Sequence, residues 1–196
     1  MIKKLNPSVA LTVFFILLLA SIRIPNAAHF TTFSNFSPIG AIALFGGAHF
    51  KNKWKAMLLC VGVLFISDIF ISTLIFKGKY GFIYQGWYWI YSIFILIIFI
   101  GSWIIKKVNF KNILLASFIA AITHWLLADL TVWLSGGLNI ITQQPLSKDW
   151  AGLMQCYLQG FPYMKNFFLG TLVYSCLSIG IFKWTTIKYP SIFIYK

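Results

Sequence analysis

Acidic side chains are nearly missing from this chain: 3 Asp and Glu stand against 16 Lys and Arg, and only 10% of residues are charged. A soluble domain carries about a quarter charged residues, so an ordinary soluble globular fold is excluded. Cysteine is sparse too. Cys60, Cys156 and Cys176 show no CxxC spacing, which removes zinc-ribbon and dithiol-redox chemistry. The chain has no GxSxG elbow, no Walker loop and no dinucleotide fingerprint, the local patterns that hydrolases and nucleotide-binding enzymes need. An ATP-driven motor therefore cannot lie in this chain, and any pumping needs a partner that supplies nucleotide hydrolysis. No helix-borne HExxH-type ligand pair occurs. His29 and His49 fall on opposite sides in the topology derived below, so the three histidines do not form one metal site. No cofactor and no metal are expected. Internal repeats and low-complexity segments are absent as well.

What the chain has in abundance is apolar length. Hydrophobic residues make up 60% of it, and the mean hydropathy is +0.84. The net charge of +13 would point to nucleic acid in a soluble protein. Here the basic residues sit in short clusters between apolar runs, where they act as topology signals and contacts to anionic lipid. No nucleic-acid partner is expected; the first partner is the lipid bilayer.

The expected fold is all-α: a polytopic membrane protein, one integral membrane domain over 1–196, with six transmembrane helices. Their approximate spans are 7–24, 36–50, 54–76, 87–105, 112–134 and 162–182, most of them near the ~20 residues a bilayer crossing requires. The first run follows Lys3 and Lys4 and ends near Arg23. It also fits the pattern of a cleaved signal peptide, although no clear A-x-A site follows. The second is short and rich in Gly40, Ala41, Ala43, Gly46, Gly47 and Ala48. Small side chains let neighbouring backbones approach, so it is read as the central, tightly packed span. The fourth opens on the interface residues Trp87, Tyr88, Trp89 and Tyr91. A polar segment, 135–161, precedes the sixth, which is expected to begin with Pro162 at its first position, where the missing N–H costs nothing.

With the N-terminus inside, inside segments hold 11 Lys and Arg and outside segments hold 5. Both termini are therefore expected in the cytoplasm. The outside segments 24–35, 77–86 and 135–161 are longer and richer in Asn, Gln, Gly, Tyr and Trp, as loops that carry function tend to be.

Ionisable groups inside spans are costly and face a protein interior or a cavity. At 1.5 Å per residue, Asp68 lies roughly 12 Å and Asp129 roughly 8 Å from the outer ends of their helices. Arg23 lies at the outer end of the first. The three either form an interhelical ion pair or face a ligand, and the two roles are compatible. Trp125, Asp129 and Trp133 are spaced by four and share one helix face; Trp133 also reads as an interface anchor. His124 reads as a packing residue. Asn166, Gly170, Tyr174 and Ser178 form another stripe of four, either a packing face or, with a positive helix terminus pointing outward, an anion or carbonyl site.

Arg23-Ile-Pro25, Asn35-Phe-Ser-Pro38 through Leu44-Phe-Gly-Gly47, Ser67-Asp68, Trp133, Gly152-Leu-Met-Gln-Cys-Tyr157, Gly160-Phe-Pro162 and Lys165-Asn166 resemble an uncharacterised bacterial family of small six-helix membrane proteins. In size, helix number and outer loops that family looks like the substrate-binding S components of energy-coupling-factor vitamin transporters. The resemblance implies an S-component-like bundle in the bacterial cytoplasmic (inner) membrane. It also implies an outer vitamin-binding cavity, a transmembrane coupling subunit and two ATPases as partners. The chain departs from the pattern at the docking motif of the first helix. S components use an Ala-xxx-Ala pair there; this chain has Ser8 and Thr12, with Ala10 followed four later by Phe14.

The first functional expectation is a binding subunit for uptake of a small vitamin-like solute and not an enzyme. Arg23, Asn35, Asp68, Asp129 and Asn166 would supply polar contacts, with Trp87, Trp125 and Trp133 as apolar walls. The alternatives are a membrane-embedded enzyme or assembly factor, or a structural subunit of a membrane complex. For an enzyme, His124 and Asp129 are the candidates, but five residues on one helix set them about 140° apart.

Overall fold

The computed structural model describes residues 32–79 and 81–188. The first expected span, 7–24, and its Arg23 lie outside the described residues. Within them the chain is all-helical, with no named strand: α1 Ile39–His49, α2 Lys53–Phe70 continued by a π-helical turn Ile71–Ile75, α3 Trp87–Ile104, α4 Phe110–Leu134 and α5 Trp150–Lys188. Among the described residues three stretches are long and apolar enough to cross a membrane: Lys53–Ile75, Trp87–Ile104 and Phe110–Leu134.

Local chemistry sets the helix ends. Asn52 accepts the Trp54 N–H at 3.0 Å at the start of α2, and Asn109 accepts the Asn112 N–H at 2.8 Å at the start of α4. Each side chain satisfies one of the orphan donors of a first turn. At the end of α1, Lys53 donates to the carbonyls of Gly47 at 2.6 Å and Phe50 at 2.9 Å. A cation there meets both the unpaired carbonyls and the negative end of the helix dipole. Before α3, Gly86 sits at φ 85°, a left-handed turn that glycine adopts without strain.

α1 lies at the centre and touches every other described helix. Ile39–Leu44, Gly46 and Gly47 are all buried. Its apolar residues show no preferred side because every side is covered. The α1–α3 crossing is backbone on backbone. A Cβ added at Gly47 would fall on the Ile98 carbonyl, and one added at Gly101 on Leu44. Large side chains then fill the space around this crossing, with Leu44, Leu64, Ile97 and Ile98 completely or almost completely enclosed. On the outside, Leu58, Phe65, Ile66, Leu74, Trp103, Leu115 and Phe118 are exposed. That is the inverse of a soluble surface and the expected distribution when lipid is the solvent.

The segment 135–161 departs from a simple loop. It forms a short hairpin closed by a bridge between Leu138 and Pro145, then enters α5 at Trp150. Asp149 caps that helix by accepting the Gly152 N–H at 2.8 Å. α5 is therefore one helix of 39 residues with Pro162 in its interior, a correction to the expected start at Pro162. Proline removes one backbone donor, and the remaining turns of α5 hold because the helix is packed along α4.

Candidate functional site

The five helices alternate in direction, so the start of α1, the end of α2, the start of α3 and the end of α4 meet at one end of the bundle. There they line an open-sided cavity of about 610 Å³, within the ~300–1,000 Å³ typical of small-molecule sites. Four of the eight sequence-derived candidates line it: Asn35, Asp68, Trp125 and Asp129. They arrive from three different places. Asn35 sits in the turn before α1 at φ 67°, a left-handed conformation that Asn tolerates better than most residues. Asp68 comes from the last α-helical turn of α2, just before the π turn, whose Ile71 and Ser72 also line the wall. Single π turns inside α-helices concentrate at functional sites. Trp125 and Asp129 share one face of α4.

Asp68 is almost fully buried, and the Tyr91 hydroxyl donates to its Oδ2 at 2.9 Å. Asp129 is held differently. Gly160 of α5 lies directly over its carboxylate, where any Cβ would collide. Its Oδ2 is buried and has no hydrogen-bond partner among the described residues. Around it α4 and α5 are stitched through main-chain acceptors. Trp125 Nε1 donates to the Tyr157 carbonyl at 3.1 Å, the Tyr157 hydroxyl to the Leu126 carbonyl at 3.2 Å, and the Cys156 thiol to the Asp129 carbonyl at 3.4 Å. Cys156 thus serves the helix contact and does not line the cavity.

The other candidates sit outside the wall. Trp87 packs edge-on against Tyr91, ring centroids 5.1 Å apart, the residue whose hydroxyl donates to Asp68. Trp133 holds the hairpin: its Nε1 donates to the Ser147 carbonyl at 2.8 Å, while Lys148 donates to the Trp133 carbonyl and sits over the Trp133 ring. Asn166 donates to the carbonyls of Thr32 and Ser34, both at 2.8 Å, so it positions the turn that carries Asn35. Two further members of its stripe do the same work. Gly170 lies against the backbone of Phe36 and Ser37, and Tyr174 packs on Phe36 at 5.7 Å. The packing reading of that stripe holds for Asn166, Gly170 and Tyr174. The helix-terminus reading does not, because α5 begins at Trp150 and Asn166 lies well inside it.

His124, Phe94, Tyr163, Met164 and Phe167 complete the wall. His124 stacks flat on Phe167 at 4.5 Å, with Phe94 at 5.5 Å. Gly160, Tyr163, Met164 and Phe167 follow helical spacing on one face of α5. That signal becomes readable only once the helix is known to start before Pro162. Among the described residues no group of three His, Cys, Asp or Glu could hold a metal ion. The wall combines carboxylates, an amide, the Ser37 and Ser72 hydroxyls and aromatic faces, a set suited to recognising a solute.

Outside the spans, Asp149 is fully exposed. Hydrogen bonds from the Ser147 hydroxyl at 2.7 Å and from the Gly152 N–H hold its carboxyl below the usual carboxylate range.

The chain matches no curated protein and no solved structure. The sequence profile of a family of unknown function, DUF6580, matches residues 3–192. Nearly the full length is covered, and the chain belongs to that family.

Proposed function

We propose that the protein is a substrate-binding membrane subunit for uptake of a small, vitamin-like solute, working in the manner of an energy-coupling-factor S component. The observation that carries this reading is the convergence of Asn35, Asp68, Trp125 and Asp129 on one cavity at one end of the bundle. Intramembrane carboxylates are expensive, and they gather around a hollow where a ligand or ion can compensate them.

On this reading the chain crosses the bacterial cytoplasmic membrane six times, with both termini inside. The segment 7–24 supplies the first crossing, and residues 162–182 of α5 the sixth. The 11-to-5 distribution of Lys and Arg then puts the cavity end on the outer face. No catalytic step is assigned to the chain. Energy comes from a transmembrane coupling subunit with ATPases, since the chain has no nucleotide-binding loop.

The test is uptake and binding in Asp68→Asn and Asp129→Asn variants that still express. Both are expected to weaken binding at least tenfold. Full uptake by both would place the solute elsewhere. Native mass spectrometry of the purified protein separates the alternatives: a retained small solute favours transport, and a co-purifying protein without solute favours a structural subunit.

A further inference from the structure

The hairpin between α4 and α5 does not project straight out from the bundle. It leaves α4 after Leu134 and folds back beside the helix pair. Gln159 of α5 fixes its position: Oε1 accepts the Ile140 N–H at 2.8 Å, and Nε2 donates to the Leu138 carbonyl at 3.4 Å. The next residue, Gly160, lies over the Asp129 carboxylate, roughly 8 Å before the end of α4. α4 has 25 residues, roughly 37 Å of helix, against an acyl core of about 30 Å. With α4 centred in the bilayer, the turn around Ile140 lies close to the level where headgroups give way to acyl chains.

Its chemistry suits that level. Every backbone N–H from Asn139 to Leu146 has a protein acceptor. Gln159 takes that of Ile140, and Asn139 Oδ1 takes those of Ile141 at 2.9 Å and Thr142 at 3.2 Å. The Thr142 hydroxyl takes that of Gln144 at 3.4 Å, and main-chain carbonyls take those of Asn139, Gln143 and Leu146. Pro145 has none to satisfy. A turn in water can leave such donors to solvent, whereas non-helical backbone at lipid cannot. Outside this closed frame stand Leu138, Ile140 and Ile141, with Ile141 85% exposed. Leu134 on α4 and Leu158, next to Gln159 on α5, are exposed as well.

We infer that the hairpin is a membrane-interface anchor, with Ile140 and Ile141 seated among phospholipid acyl chains just below the headgroups at the cavity end. Thr142, Gln143 and Gln144, exposed on the same turn, keep it at this boundary and out of the acyl core. The anchor is tied to Trp133 and Gln159, chain neighbours of the cavity-wall residues Val132 and Gly160. Lipid thereby steadies one rim of the cavity, whatever the cavity binds.

The experiment places a nitroxide label on Ile141→Cys in the purified full chain, in nanodiscs of zwitterionic phospholipid. Collision with oxygen, which concentrates among acyl chains, is compared with collision with a water-soluble nickel chelate. Unmodified protein treated with the same label supplies the background from its own three cysteines. The reference is Lys106→Cys, an exposed position. The oxygen-to-nickel ratio is expected to be at least threefold higher at position 141 than at the reference. A ratio equal to the reference would put the hairpin in water and overturn the inference. Protection from both probes would mean that protein covers the tip, a second copy or a partner, and would overturn it equally. Should Ile141→Cys fail to fold, the same label on Ile140→Cys decides by the same criterion.

Discussion

The two ends of this bundle are built from the same helices and behave as opposites. At one end α1 and α3 cross backbone to backbone, with Gly47 against Ile98 and Gly101 against Leu44. No room is left there for an added methyl group. At the other end the same two helices separate around Ser37, Ile39, Ile90 and Phe94 and share a hollow of about 610 Å³ with α2, α4 and α5. Small residues bring helices together, and large or polar ones hold them apart. Because lipid is as apolar as Leu, helix association cannot rely on the hydrophobic effect and depends on close contact. The tight end is thus where the bundle is held, which frees the other end to stay hollow and to carry costly carboxylates.

The largest effect is expected from breaking the tight end. Gly47→Leu and Gly101→Val push a side chain into a neighbouring backbone, a form of overpacking that costs about 3 kcal/mol or more when neither helix can shift. Both variants are expected to lose monodisperse protein on size-exclusion chromatography. A normal melting temperature for either would mean that the crossing is looser than described. Next comes the hollow end. Asp129→Asn is expected to weaken solute binding at least tenfold while its melting temperature stays level or rises, since Oδ2 of its carboxylate is buried without a hydrogen-bond partner among the described residues. A steep fall in stability would instead assign Asp129 a structural role.

A smaller effect separates walls from scaffolding. Asn166→Ala removes two hydrogen bonds to the Thr32 and Ser34 carbonyls. It should cost roughly 1–3 kcal/mol in thermal or denaturant unfolding. It should also weaken solute binding only by loosening the turn that carries Asn35. A loss of binding at unchanged stability would make Asn166 a direct contact.

The smallest effect lies outside both ends. The Asp149 carboxyl titrates below the usual range because it accepts hydrogen bonds from Ser147 and Gly152. Its depressed value means that its contribution is present above the unfolded-state value, near 4, and is lost as pH falls through the folded one. Protection of the Gly152 and Leu153 amides against hydrogen exchange, corrected for intrinsic rate, should therefore decline as pH falls below about 4. Asp149→Asn should flatten that profile. An unchanged profile would remove the cap from the account of where α5 starts.

Much of this contrast was legible in the residues. Hydropathy located α2, α3 and α4 to within a few residues, because an apolar run in lipid has only the helix to satisfy its backbone. The Gly and Ala content of 36–50 marked α1 as the packed centre, although its helix is only 11 residues long. Four of the eight chosen site residues, Asn35, Asp68, Trp125 and Asp129, share a cavity because burying a polar group in a span narrows the places it can face. The start of α5 is not legible locally because Pro162 looks like a beginning, whereas the helix starts at Trp150. Nothing within a few residues of it reports that α4 packs alongside and supports the helix through it. Trp133 and Asn166 have the face spacing of wall residues, but the hairpin and the turn before α1 take up their side chains.

The sequence by itself determined that this is a membrane-helix protein, which runs are apolar enough to cross and which few groups are costly there, because those are properties of composition and period. The tertiary structure alone decided which costly groups meet. Asp68 and Asp129 are distant in the chain and become neighbours of one cavity only through the alternating directions of the helices and the close α1–α3 crossing. Spacing within a helix predicts a shared face, but only packing between helices determines what that face looks onto.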